Sequence, residues 1–266
     1  KIYGYNMKYI IPTIKRSTII KNRTLALLKR HGIKPKDIYL FCVGEGGDIS
    51  DYRKVLHGEG YNIIQGKKGI GPQRNFMSNY FEEGEALVTL DDDVEEIYDR
   101  CSPKRLTPIK SLTDLVNKMF DILDKENATC CGVYPIKNPF YMKEGYTTNL
   151  KFCIGQFRCF YNIKEIETSR KYKLLEDYEI SLKHFLTSGK IIRFTDICLK
   201  ANYASLGGGL SSVADRRYIV KKKEVEEFYN DFSVYCSVYD RPTDSGQKID
   251  IRFRRGAGDL CIWHEL

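Results

Sequence analysis

The sequence predicts an α/β fold: one domain on a mostly parallel central sheet flanked by helices, with a more mixed second half. Three observations carry that expectation. Apolar runs alternate with amphipathic stretches through the first hundred residues, the pattern of strand–helix–strand units with right-handed crossovers. One of those runs, Ala86-Leu-Val-Thr-Leu90, stops abruptly at Asp91-Asp92-Asp93, as strands do where ligands bind at their carboxyl ends. No repeat, low-complexity tract or linker divides the 266 residues, which are enough for one large core.

Taken in order, Met7 to Pro12 reads as a first strand, stopped by Pro12. A polar turn, Thr13 to Ser17, follows. Ser17 or Thr18 then caps a helix running to about His31, with Gly32 as its stop. Ile38–Val43 is a second strand, ending in Gly44-Glu-Gly-Gly47, whose spacing does not fit a dinucleotide fingerprint. Asp51–Leu56 is a short helix and Tyr61–Ile64 a third strand. Gly69 opens a helix with Pro72 in its first turn, and that helix leads into the Asp-tipped strand.

Beyond Arg100 the rhythm changes. Leu112, Leu115, Met119, Ile122 and Leu123 recur at helical spacing behind a Ser111 cap. Cys130–Ile136 is strand-like, and Asn138-Pro139 turns the chain. Leu150–Phe160 partly alternates and suits a strand bent at Gly155. Leu174–Leu186 is a helix, Lys190–Cys198 a strand, and Gly207-Gly208-Gly209 a flexible element able to approach a ligand or hinge a lid. Arg217–Phe232 is a charged helix, and Lys248–Arg255 alternates as a half-exposed strand.

Composition is that of an ordinary globular protein, 42% hydrophobic and 29% charged. No apolar run is long enough to span a membrane, and no secretory signal is present, so a cytosolic protein is expected. The first residue is Lys, which puts the start at Met7 or upstream. Nine Cys without CxxC spacing favour reduced thiols over disulfides or zinc, with Cys42, Cys153, Cys159 and Cys198 in the core. The net charge of +8 suits an anionic partner, though a solvated basic surface explains it equally. The bias toward Lys, Ile, Asn and Tyr fits an AT-rich, virus-like source genome.

Three adjacent carboxylates repel one another and resist desolvation, so they require solvent or a cation. On an extended strand Asp91 and Asp93 would point one way and Asp92 the other. Hard oxygen donors suit Mg²⁺ or Mn²⁺, whose shell is commonly finished by water and phosphates. A solvated acidic loop is the plainer alternative. The sheet edge implied by the topology would gather Thr13 to Arg16, Glu45 and Asp91 to Asp93, cations beside carboxylates. Glu176 and Asp177 fall in a helix's first turn, where the dipole alone would favour them.

The ordered set of segments IPTIKRSTIIKNRTLALLKRHGI, GIGPQRNF, VTLDDDVEEI, GVYPIKNPFYMK, TTNLKFCIGQF, LEDYE and the glycine run at Gly207 resembles the GT-A glycosyltransferases. Within them it is most similar to the TET-associated glycosyltransferases of phages and the related domain of a vertebrate estrogen-responsive growth regulator. The resemblance implies a nucleotide-sugar-binding half at about 7–100 and an acceptor half with a basic tail at about 101–266. It implies that Pro12, Thr13, Lys15 and Arg16 line the nucleotide pocket, with Glu45 near the base. Gly71, Arg74 and Asn75 would help hold the donor. Asp91 and Asp93 would carry the metal, Asp92 would be free for ribose or sugar hydroxyls, and Gly207 and Gly208 would approach substrate. Asp177 would be the general base, oriented by Glu176. Many family members bring a late His to the metal; here the segment after Leu199 has none, His184 lies inside a helix and His264 at the extreme end.

The implied activity is transfer, with inversion, of glucose or N-acetylglucosamine from a UDP-sugar to the hydroxymethyl group of a modified pyrimidine in DNA, such as 5-hydroxymethylcytosine. Two alternatives stay open: the same chemistry on a glycan, lipid or protein hydroxyl, and a non-catalytic DNA- or nucleotide-binding module. A nucleotidyltransferase would also need paired carboxylates and a metal. Trp263, the single Trp, reads as packing for the tail or as a stacking surface for an acceptor.

Overall fold

Four parallel strands form the half of the sheet nearest the N-terminus, in the spatial order β3 (Asn62–Gln65), β2 (Ile38–Val43), β1 (Lys8–Ile14), β4 (Ala86–Leu90). Between them run α1 (Ser17–Asn22), α2 (Thr24–Arg30), α3 (Ser50–Val55) and α4 (Ile70–Tyr80). The computed structural model describes residues 6–44, 46, 48–169, 171–201, 214–243 and 246–254.

The sheet continues from β4 through β9 (Phe157–Tyr161), β7 (Cys130–Tyr134), β10 (Ile192–Ala201), β5 (Val94–Ser102) and β6 (Arg105–Pro108). The two-residue β8 (Tyr146–Thr147) pairs β10. This half mixes directions: β9 is antiparallel to β4 and to β7, whereas β7 and β10 run parallel. The carboxyl ends of β1, β2, β4 and β7 therefore share one edge.

The main core lies between the sheet and α1, α2 and α5 (Leu112–Glu126), whose Leu115, Met119 and Leu123 meet Val88, Cys159 and Phe194. Ser111 caps α5 as its sequence requires, accepting from the Asp114 N–H at 3.1 Å. On the other face α4 covers Ile10, Phe41 and Leu87. A further apolar cluster joins α6 (Glu176–Ser188) to α7 (Ala214–Phe232) and the hairpin of β11 (Cys236–Thr243) and β12 (Gly246–Phe253). Cys42, Cys153, Cys159 and Cys198 are all buried and unpaired. No helix among the described residues is long and apolar enough to cross a membrane.

Four expectations are corrected. Pro12 does not end β1, which continues to Ile14. Pairing of β1 with β4 stops at Ile10, so Pro12 has only β2 beside it and its missing N–H leaves no gap in a second ladder. The helix expected from Ser17 to His31 is two helices, broken at Arg23 (φ −116°, ψ −94°), because the Thr24 side chain is needed elsewhere. The three aspartates do not continue β4 as extended strand but form the turn between β4 and β5, which opens at Val94. Finally, only Phe157–Tyr161 of the stretch Leu150–Phe160 is strand. Residues 151–156 lie outside the strand: the Gln156 carbonyl still meets the Asp91 N–H in the β4–β9 register, but the Gly155 N–H turns to Asp177 and the Cys153 N–H to Ser181.

Candidate active site

The turn Asp91–Asp93 is held from its backbone. Thr24 Oγ1 donates to the Asp91 carbonyl at 2.7 Å and accepts from the Val94 N–H at 3.0 Å, so one hydroxyl closes both ends of the turn. The break at Arg23 sets Thr24 at the start of α2, and Arg23 itself pairs with Glu95. From the other side the Asp91 N–H donates to the Gln156 carbonyl at 3.2 Å.

Asp92, expected to be free for hydroxyls, is 5% exposed and already engaged through both oxygens. Thr13 Oγ1 donates to Oδ2 at 2.7 Å and Arg16 Nη1 to Oδ1 at 3.0 Å. Behind Thr13 stands Tyr52, wholly buried in α3. Because Thr13 gives its proton to Asp92, the Tyr52 hydroxyl donates to Thr13 at 3.0 Å and accepts the Arg16 backbone N–H at 2.9 Å. A polarised chain thus runs Arg16 N–H, Tyr52, Thr13, Asp92. Lys15, exposed, takes a left-handed conformation (φ +53°) that turns β1 into α1 and carries Arg16 to the aspartates. Pro12 is buried within β1. Tyr52 was invisible to motif reading; its signal is a lone aromatic in a short polar helix.

Asp93 is different. Arg16 Nη1 lies 3.7 Å from its Oδ2, while its Oδ1 is buried without a hydrogen-bond partner. Burial raises the pKa of all three aspartates. Asp91 is pushed up to about 7 by burial, reinforced by the charges of Asp177, Asp93 and Asp92 and opposed by Arg74. For Asp92 burial outweighs Thr13 and Arg16, and for Asp93 burial and Asp92 outweigh Arg16.

The second acidic pair opens α6. Asp177 is gripped on Oδ1 by Arg74 Nη2 at 3.2 Å and Arg158 Nη2 at 3.4 Å, and on Oδ2 by the Gly155 N–H at 2.9 Å. Its neighbour Glu176 is pushed up to about 8 by burial and then by the Asp177 charge, with Arg74 and Arg158 opposing. Arg74, expected to help hold the donor, is 9% exposed; burial opposes its charge, but Asp177, Glu176 and Asp91 keep it firmly protonated.

Gly71 and Asn75, on the same helix, pack against Thr168. Asn75 Nδ2 donates to the Thr168 carbonyl at 2.9 Å, and its Oδ1 accepts from the Thr168 N–H at 2.7 Å and hydroxyl at 2.8 Å. A Cβ on Gly71 would stand 3.0 Å from Thr168 Oγ1, so glycine permits that close packing. Their place in a basic-Gly motif suggested a ligand; only the tertiary contact reveals Thr168. His184 meets Thr129 in the core (2.9 Å), with its pKa lowered to about 3 by burial and Arg158, so it is neutral. Glu45, Gly207, Gly208, Trp263 and His264 lie outside the described residues.

Two carboxylate clusters thus face one carboxyl edge, joined by the dipeptide Gly155-Gln156. Among the described residues no three His, Cys, Asp or Glu side chains gather with metal-ligand geometry. The fit to a divalent ion rests instead on the Asp93 Oδ1, a buried hard oxygen donor without a hydrogen-bond partner, in a turn that also carries Asp91.

No protein-family model matches the chain, and no curated protein matches it. Solved structures match in fold. Mannosyltransferase PcManGT from Pyrobaculum calidifontis, in complex with GDP-Man and Mn²⁺, superposes with a TM-score of 0.57 at 13% identity, over 87% of this chain and 65% of that one. TarS 1-349 of S. aureus, in complex with UDP, gives 0.50 at 15% identity, over 84% of this chain and 65% of that one. Glucosyl-3-phosphoglycerate synthase from Mycobacterium tuberculosis, with Mn²⁺, UDP-glucose and phosphoglyceric acid, gives 0.52 at 10% identity, over 93% and 87%. The chain spans about two thirds of the length of the first two. The fold of this chain is therefore the GT-A-like α/β fold of nucleotide-sugar glycosyltransferases.

Proposed function

We propose that the chain is a metal-dependent glycosyltransferase that moves glucose or N-acetylglucosamine from a UDP-sugar to the hydroxymethyl group of a modified pyrimidine in DNA. The observation that carries the transferase reading is the buried Asp93 Oδ1 without a hydrogen-bond partner, in a turn at the strand end whose Asp91 feels the charge of the arginine-held Asp177. The fold shared with structures that hold nucleotide sugars and Mn²⁺ supports it. The DNA acceptor is supported by the segment resemblance given above and by the net charge of +8, which favours a polyanion.

In this reading Asp91 and Asp93 hold Mn²⁺ or Mg²⁺, which when bound supplies neutralisation of the charge that develops on the diphosphate leaving group. Asp92 serves through Thr13 and Arg16 as a fixed brace for the turn. Asp177 Oδ2 keeps a lone pair beyond its Gly155 bond and accepts the acceptor's hydroxyl proton. As that O–H bond breaks, the oxygen forms its bond to the anomeric carbon on the face opposite the diphosphate. The bond from that carbon to the phosphate oxygen breaks, and its electron pair leaves with UDP. Attack from the opposite face inverts the centre. A base within a duplex must be flipped out or presented on a single strand.

The test is the intact mass of oligonucleotides containing cytosine, 5-hydroxymethylcytosine or 5-hydroxymethyluracil after incubation with the protein, Mn²⁺ and UDP-glucose or UDP-N-acetylglucosamine. A single-sugar gain confined to a hydroxymethylated base, lost in Asp93→Ala and Asp177→Ala, is the expected result. Metal-dependent UDP release without a DNA product would move the acceptor to glycans or proteins. Neither product nor UDP would overturn the transferase reading.

A further inference from the structure

Two of the three donors that hold the candidate base, Gly155 and Arg158, are residues to which the sequence analysis gave no role. Arg158 sits on β9, which pairs β4 in a register that places it opposite Thr89, one residue from the end of the strand that carries the aspartates. It is 3% exposed, and its Nη2 reaches Asp177 Oδ1 at 3.4 Å. Two residues earlier, the Gln156 carbonyl accepts the Asp91 N–H, and Gly155 donates its own N–H to Asp177 Oδ2. Residues 155–158 therefore touch both acidic clusters, the first through main chain and the second through main chain and a guanidinium.

The fit leaves no room for a side chain at Gly155: a Cβ there would lie 2.2 Å from Arg74 Nη2 and 2.3 Å from Asp177 Oδ1. Contacts that short do not occur, so any larger residue must displace the base or its arginine. Three donors then fix Asp177 in one orientation: Arg74 and Arg158 occupy Oδ1, and Gly155 occupies one side of Oδ2. A base so held presents a single lone pair, at a distance from Asp91 set by the Gly155-Gln156 peptide rather than by a flexible side chain.

We infer that Gly155, Gln156 and Arg158 form one positioning element, which registers the base Asp177 against the Asp91–Asp93 turn, with Arg158 acting through Asp177 rather than on substrate. This rests on the reading of Asp177 as the general base proposed above. It assigns the alignment of the two half-sites to the start of β9 and the dipeptide before it: the Gln156 carbonyl carries the β4–β9 register one step further, to Asp91, and Gly155 then turns its N–H to Asp177.

The experiment compares wild type with Arg158→Gln and Arg158→Lys in steady-state transfer, with donor binding measured by calorimetry and each variant's crystal structure determined. Arg158→Gln is expected to lower kcat on the order of 100-fold, the cost of misplacing a catalytic group by about 1 Å, while donor Kd and KM stay within about twofold. Arg158→Lys, keeping the charge without the planar fork, is expected to recover about tenfold of that loss. A kcat within about twofold of wild type in Arg158→Gln, or a parallel loss of donor binding, would overturn the inference. Should Arg158→Gln fail to fold, Arg158→Lys carries the same kcat-against-KM criterion alone. Should wild type transfer no sugar to any acceptor, the function reading fails separately, and the crystal structures decide: a rotated Asp177 carboxylate in Arg158→Gln supports the positioning role, and an unmoved one overturns it.

Discussion

The turn Asp91–Asp93 and the helix start Glu176-Asp177 solve the same problem in the same way. Each brings adjacent carboxylates into a buried place at the carboxyl edge of the sheet, and each pins one by arginine and leaves another without a cationic hydrogen-bond partner. Asp92 has Thr13 and Arg16, and Asp177 has Arg74, Arg158 and a peptide N–H. Asp91 and Glu176, by contrast, are pushed up to about 7 and about 8 by burial and by the neighbour's charge. The difference teaches that a run of acids is not a run of equivalent ligands. The pinned member is held in one geometry, and in the member without an arginine hydrogen bond burial and the neighbour's charge raise the pKa.

The largest expected effect tests the acids of the turn against each other. Asp93→Ala should abolish metal-stimulated turnover by on the order of a thousandfold, the loss of several kcal/mol of charge stabilisation. Asp92→Asn, which keeps the shape, should act mainly through the brace and lower stability instead. Mn²⁺ titration followed by activity separates the two; equal metal affinities in both variants would erase the distinction drawn between Asp93 as ligand and Asp92 as brace. Next comes Gly155→Ala, for which the Cβ clash predicts a kcat loss on the order of 100-fold with the fold retained. Circular dichroism with kinetics checks this, and normal turnover would show that Asp177 tolerates displacement.

A third prediction concerns pH. Glu176 has a folded pKa of about 8 against an ordinary 4.5. Below about pH 4.5 both folded and unfolded chains hold its proton and the contribution is fully present. As pH rises toward about 8 the unfolded chain releases the proton and the folded one does not, so stability falls across that window. Glu176→Gln should flatten this decline in melts recorded without added metal at pH 5, 6.5 and 8; an unchanged slope would remove Glu176 as its source. Smaller still are the braces. Asn75→Ala strands the Thr168 N–H and hydroxyl and should cost about 1–3 kcal/mol in urea unfolding, with turnover per folded molecule nearly unchanged. Tyr52→Phe removes one link behind Asp92 and should cost about 1 kcal/mol. A large loss of donor affinity in Asn75→Ala would return that residue to the ligand.

By itself the sequence determined the alternating parallel half, the Ser111-capped helix and the acidic strand end, because each rests on local periodicity, capping chemistry or an abrupt change of polarity. It placed the acids and their basic neighbours at one edge, since strand ends in parallel units converge by topology. What only the tertiary structure decided was the pairing among them. Arg74 and Asp177 stand 103 residues apart, and Asp92 and Thr13 79 apart. No local pattern records which guanidinium meets which carboxylate, that Asn75 serves Thr168, or that the run of aspartates bends into a turn instead of alternating. The role of Gly155 was hidden for the same reason: a glycine in an apolar stretch looks like a bend until Arg74 and Asp177 close over the space its side chain would fill.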